Sequence, residues 1–275
     1  NVAVGYASLY TNTTGQNNVA IGTSALSSNT IGIENSSLGS NALSGNTTGS
    51  YNNAFGKSAL QSNTVGTRNN AFGWYSLFAN VNGSSNTAFG HRVLQNNTTS
   101  SNTGFGYMSL FANTIGISNV AVGAAALTNN TTGSNNTAVG RSSLQANTIG
   151  VSNSAFGYHA LVSNTTGNNN VAIGLNCMYY NTTGGQNTAV GRSALQNNTI
   201  GTSNSAFGAY ALLTNTIGIN NTAVGSQSLR LNTTGSRNSA FGFYSLYGNT
   251  TGAENSAFGF RALYLNSTGS SNSAF

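Results

Sequence analysis

The side chains able to carry chemistry are few and thinly spread. Carboxylates are limited to Glu34 and Glu254, imidazoles to His91 and His159, and thiols to Cys177. Paired-carboxylate catalysis needs two acids within several ångströms of each other, and a metal centre needs nitrogen, sulfur or oxygen donors converging on one point. No two of these residues are neighbours in the chain. No catalytic, cofactor or metal site is therefore assigned, and no enzyme activity is expected. The glycines recur at regular intervals, without the strand, Gly-rich loop and helix context that cradles phosphate. A single cysteine excludes an internal disulfide framework, and Cys177 is expected to act as a small buried side chain.

Eight basic residues against two acids give a formal charge of +6. Lys57, Arg68, Arg92, Arg141, Arg192, Arg230, Arg237 and Arg261 occur singly along the chain, whereas phosphate contact favours a dense basic stripe. Their expected role is solubility, and no nucleic-acid partner is assigned. The aromatics are more suggestive. Trp74, Tyr75 and Phe78, and again Phe243, Tyr244 and Tyr247, are the densest points of a series of Tyr, Phe and Trp residues, and exposed aromatics mark interfaces. These six form the candidate partner-binding set, for a host surface glycan or protein. The plainer reading is that the rings stack on one another or against a neighbouring chain.

What must position these residues is a repeat. One phrase starts at Asn1, Asn18, Asn35, Asn52 and onward to Asn255; fifteen copies of 17 residues, one of 16 and a remainder at 272–275 account for all 275 residues. So short and complete a period reads as a solenoid, because each unit is too small to fold alone. The whole chain, 1–275, is read as a single repeat domain of sixteen coils and a partial one. It opens on Asn1 and stops in mid-repeat at Phe275, and is expected to be an excerpt of a longer fibre. No apolar run approaches the roughly 18 residues of a membrane span, so no membrane insertion is expected.

Within the copies, position one is Asn, five is Gly, nine is Leu except for Met178, twelve is Asn, and fifteen is Gly in all but one copy. Gly twice per coil, among Asn, Thr and Ser, argues against helix. The pattern predicts two short strands per coil, one at Val-Ala-Val/Ile/Phe before the first Gly and one at Ala-Leu and the two residues after it, with turns at Gly5 and at Asn-Thr-Thr-Gly. Parallel stacking at about 4.8 Å per coil sets like on like, so the Asn columns are expected to form amide ladders. On that spacing Glu34 and Glu254 lie roughly 60 Å apart, and His91 and His159 about 19 Å. Arg237 and Glu254, last in consecutive copies, are expected to pair.

Apolar residues come in adjacent pairs, Ala3-Val4 and Ser8-Leu9. In strands the members of a pair face opposite ways, so one is expected inside the coil and one outside, with buried Val/Ile/Phe and Leu columns stiffening the coil. Strands apolar on both faces are usually covered on both. A homotrimer is the first choice, and a dimer, lateral filament assembly or a lone solenoid stays open. The 16-residue copy, 86–101, is expected to tighten a surface turn while keeping Phe89 and Leu94 in register in the core.

The phrases Asn-Ser-Ala-Phe-Gly at 153–157 and Asn-Val-Ala-Ile-Gly at 170–174 resemble the head repeats of trimeric autotransporter adhesins of the YadA-like kind, and related phage or virus tail-fibre repeats. The resemblance covers the whole chain, although the coil here is longer, at 17 residues. It implies an all-β, left-handed parallel β-roll, three chains around one axis, and an extracellular place on a cell or virion. The expected function is a structural fibre or adhesin segment that projects or attaches. The alternative is an ice-binding solenoid using the Thr column of Thr13, Thr30, Thr47 and Thr64. Asn-Thr-Thr at Asn12, Asn46, Asn130, Asn164, Asn181, Asn232 and Asn249 reads formally as a glycosylation acceptor, but the turn itself favours these residues.

Overall fold

The computed structural model describes residues 1–275 and contains no helix. It comprises two compact units, Asn1–Asn135 and Asn136–Phe275. Each coil contributes one three-residue strand, from β1 (Val2–Val4) to β8 (Val120–Val122) in the first unit and from β9 (Thr137–Val139) to β16 (Ser256–Phe258) in the second, where the short β17 (Ser273–Ala274) follows. Within each unit successive strands pair in parallel and like sits on like: Ala3 beside Ala20 in the first, Ala155 beside Ala172 in the second. Both units are therefore parallel β-solenoids with one repeat per coil.

Only the first expected strand forms. Positions seven and nine take positive φ in every coil, as at Ser24 (φ 55°) and Leu26 (φ 51°), and the segment around them is turn. A left-handed backbone costs an L residue roughly 1–2 kcal/mol, whereas full burial of a Leu is worth roughly 1.5–3 kcal/mol. Burial wins, and Leu26, Leu43, Leu60 and their equivalents in every coil but the first and the last full one are wholly buried. The turn is still laddered between coils: Leu26 N–H donates to Ala42 O at 3.0 Å, and Ser28 N–H to Ser44 O at 3.1 Å.

Loss of that strand corrects the expected facing. Positions eight and nine are not on opposite faces; Ala25 and Leu26 are both inside. Alternation holds only in the true strand, where Ala20, Ala54 and Ala71 are buried and position four points out, with Ile21 38% and Leu38 43% exposed. The Val/Ile/Phe column is thus an outer column, and Phe89, expected in the core, is on it.

Two amide ladders run inside each unit. Asn18 Nδ2 and Asn29 Nδ2 both donate to Gly32 O, at 2.8 and 3.0 Å, so the two invariant Asn of one coil converge on one carbonyl. Each also reaches the neighbouring coil: Asn35 N–H donates to Asn18 Oδ1 at 3.0 Å, and Asn46 Nδ2 to Asn29 Oδ1 at 2.8 Å. An amide suits this because it donates and accepts along one axis. Position fifteen must be Gly, since a Cβ at Gly15 would lie 2.5 Å from Gly32 O and 2.8 Å from Asn29 Nδ2. Position five must be Gly for a second reason: Gly22 has φ +132° and its Cβ would meet the Gly39 carbonyl at 2.7 Å.

The short copy behaves as expected in register. β6 (Thr87–Phe89) pairs with β7 (Thr103–Phe105) as Thr87 with Thr103 and Phe89 with Phe105. The missing residue is absorbed in the turn, where Thr99 O takes the place of the Gly carbonyl and accepts Asn86 Nδ2 and Asn97 Nδ2, both at 2.7 Å. Leu94 stays fully buried.

Candidate partner-binding flank

Each coil leaves its strand at Gly5, dips inward at positions eight and nine, and emerges again. Positions six, seven and ten therefore lie on one flank around the buried Ala/Ser-Leu pair, where small residues such as Ser58 and Ser142 are covered by their neighbours and larger ones project, and the candidate aromatics are at these positions. In the first unit Trp74, 46% exposed, lies 5.3 Å from Tyr75, whose ring meets Phe78 edge-on at 5.0 Å. The following coil adds His91, 5.0 Å from Trp74, and the next adds Tyr107, 5.5 Å from His91. In the second unit Phe243 meets Tyr244 at 4.1 Å, and Tyr244 meets Tyr247 at 5.1 Å. Tyr247 stacks on Tyr264 at 5.2 Å. Each expected triad is thus one contiguous ring cluster extended by the neighbouring coil.

The basic residues are not scattered. Lys57, Arg92, Arg141, Arg192, Arg230 and Arg261 all occupy positions six, seven or ten, the same flank as the rings. Lys57 Nζ lies 6.0 Å over Trp74, and Arg141 6.0 Å over Tyr158. The other two, Arg68 and Arg237, fall in the last position with both acids, Glu34 and Glu254. There Arg237 pairs with Glu254 as expected, an exposed pair of small energetic weight. A shared repeat position was the signal in the sequence that could have grouped rings with guanidinium groups.

The titratable side chains are held by packing. His159 stacks on Tyr158 at 3.8 Å, and burial first, then the nearby Arg141 charge, lowers its pKa from 6.5. Cys177 is buried, its Sγ donates to Ala189 O at 3.2 Å, and burial pushes its pKa up to about 12. No group of three or more His, Cys, Asp and Glu is gathered anywhere.

Two further outer features bear on function. The fourth-position column is an unbroken apolar stripe in each unit; in the first, Phe55, Phe72, Phe89 and Phe105 stack at 4.8, 4.3 and 5.1 Å. The second feature went unread in the sequence. At position sixteen an N–H is capped by a side-chain oxygen of the next coil, Ile33 by Ser50 Oγ at 3.1 Å and Val151 by Asn168 Oδ1 at 2.7 Å. The alternation of apolar and Ser/Asn residues at this position is the trace it leaves in the sequence.

With that geometry in view the class is plain: a parallel β-solenoid whose coils carry an apolar outer stripe and an aromatic, basic flank. Comparison with protein-family models and with curated proteins finds no match.

Proposed function

We propose that this chain is a structural segment of an extracellular fibre, a cell-surface adhesin or virion tail fibre, that projects or attaches through its flank. The observation that carries the reading is the fourth-position stripe. Aromatic and aliphatic side chains such as Phe89, Phe105 and Ile173 stay 38–41% exposed on a laddered strand face. Contiguous apolar surface of this kind marks an interface, and its apolar character in every coil favours copies of the same chain, assembled as a homotrimer. The resemblance of the Asn-Ser-Ala-Phe-Gly phrases to YadA-like heads supports the same reading. Partners are then a second and third copy of the chain, and a surface glycan or protein on the flank. Mass photometry should report trimers, and Phe72→Asn with Phe241→Asn should release folded monomers. Gold-labelled antibody should decorate the outside of the intact source cell or particle. Monomeric wild-type protein would remove the trimer, and purely internal labelling would remove the fibre.

Ice binding stands second because the Thr column spends its hydroxyls on the backbone. Thr30 Oγ1 donates to Thr47 O and Thr47 Oγ1 to Thr64 O, both at 3.0 Å. A thermal-hysteresis measurement, expected to show none, separates the two readings.

A further inference from the structure

In the second unit the flank carries charge of one sign only. Arg141, Arg192, Arg230 and Arg261 are its arginines; the unit's one acid, Glu254, lies in another column, already paired with Arg237. The guanidinium groups are threaded between rings. Arg192 and Arg230 each lie 5.5 Å over Tyr210, and Arg230 is also 5.9 Å from Tyr247. Tyr247 stacks on Tyr264, over which Arg261 lies at 5.2 Å.

A cation–π contact holds a guanidinium by its face and leaves the in-plane N–H fork available. Arg230 commits Nη1 to Gln227 Oε1 at 2.7 Å and buries its Nε, so it meets a ligand through Nη2; Arg192 and Arg261 are exposed. Such forks match carboxylates bidentately. Arg192, Arg230 and Arg261 recur every second coil, about 10 Å apart at the ladder spacing. Tyr210 and Tyr247 fill the gaps; their faces are covered by the guanidinium groups and by Tyr264, so their phenol edges and hydroxyls are what meets a sugar.

We propose that this flank binds a linear acidic polysaccharide carrying one carboxylate per disaccharide, uronates meeting Arg192, Arg230 and Arg261 and the two intervening neutral sugars lying against the phenol edges of Tyr210 and Tyr247. The arginines are too sparse for a nucleic acid, whose strand carries a phosphate about every 3.4 Å. The inference names the ligand of the attachment role proposed above and rests on that role only for access to such a glycan.

A hyaluronan decasaccharide titrated into the full chain by calorimetry tests this, with carboxyl-reduced hyaluronan and single-stranded oligothymidylate as comparisons. Hyaluronan should bind in physiological salt and the other two should not. R230Q with R261Q should weaken binding roughly tenfold or more, as expected for lost charge-assisted hydrogen bonds, and R237Q, which removes a single charge from another column, should not. Equal weakening by R237Q, tighter binding of oligothymidylate, or no hyaluronan binding by folded wild type would overturn the proposal. None of these outcomes depends on where the chain resides, so the fibre reading survives or fails separately.

Discussion

Val93 and Gly104 are a matched pair. Val93 is the only bulky residue at position eight and Gly104 the only glycine at position three, and a Cβ at residue 104 would lie 2.5 Å from Val93 Cγ1. The isopropyl group fills the space that Ala occupies in other coils, as with the fully buried Ala59 and Ala71. Beside them Ser109 Oγ is buried without a partner, whereas Ser76 and Ser143 at the same position bond the Gly carbonyl of their own coil at 2.9 Å.

A double-mutant cycle follows from this pair. Gly104→Ala alone overpacks the coil and should cost about 1–3 kcal/mol, and Val93→Ala alone leaves a small cavity costing about 1–2 kcal/mol. The double variant recreates the Ala–Ala contact of other coils, so its stability should return close to wild type. Denaturant unfolding measures the coupling; strictly additive losses would show that the two residues do not share the space.

The amide ladder gives a second prediction. Asn63 is fully buried, donates to Asn46 Oδ1 at 2.7 Å and Gly66 O at 3.0 Å, and accepts Asn80 Nδ2 at 3.2 Å. Asn63→Ala leaves these partners short and should cost on the order of 3 kcal/mol, at about 1–3 kcal/mol per unsatisfied group. Asn63→Asp, nearer in shape, should be at least as damaging, because a carboxylate cannot donate and would bury a charge. A tolerated Asp, read from the thermal midpoint, contradicts the ladder.

The same ladder bears on the Asn-Thr-Thr sequences. Asn46 and Asn164 are buried with their amide nitrogens bonded to Gly49 O and Gly167 O, so no sugar can be attached without unfolding the coil. Peptide mapping of folded protein secreted from a glycosylating host should show Asn46 and Asn164 unmodified. A glycan mapped to either residue in folded material would refute this placement.

Cys177 should be silent in the native state. Its thiol is enclosed and its pKa is raised to about 12, so the reactive thiolate is scarce near neutrality. A chromogenic disulfide reagent at mildly alkaline pH should register no thiol until denaturant is added, and then one per chain. Prompt labelling of folded protein would mean the coil opens there.

His159 sets a small pH dependence whose sign is fixed by its lowered pKa. The unfolded chain binds the proton more tightly, so stability is full above about 6.5, declines as pH falls below that, and levels off under the lowered folded value. The thermal midpoint should be lower at acid than at mildly alkaline pH, and His159→Gln should reduce the difference. An unchanged difference in that variant would assign the effect elsewhere.

Much of the architecture was legible in one sequence because the repeat is strict. The period, the parallel register, the stacked Asn columns and the absorbed deletion at 86–101 all follow from like residues recurring at fixed spacing, and Arg237 beside Glu254 follows from the same arithmetic. The outer stripe and the flank were not legible. Reading Ala-Leu as a strand assumed extended backbone, and nothing local announces that Leu26 takes φ 51°.

That backbone choice is a tertiary decision. Alone, a Leu avoids the left-handed region; stacked between Leu9 and Leu43 it gains full burial, and the enclosing coil outweighs the local cost. Once the turn bends inward there, positions six, seven and ten must face outward together, which gathers Arg230, Tyr210 and Tyr247 on one flank. Sequence alone determined which residues repeat and at what interval; only closure of the coil decided which way each of them faces.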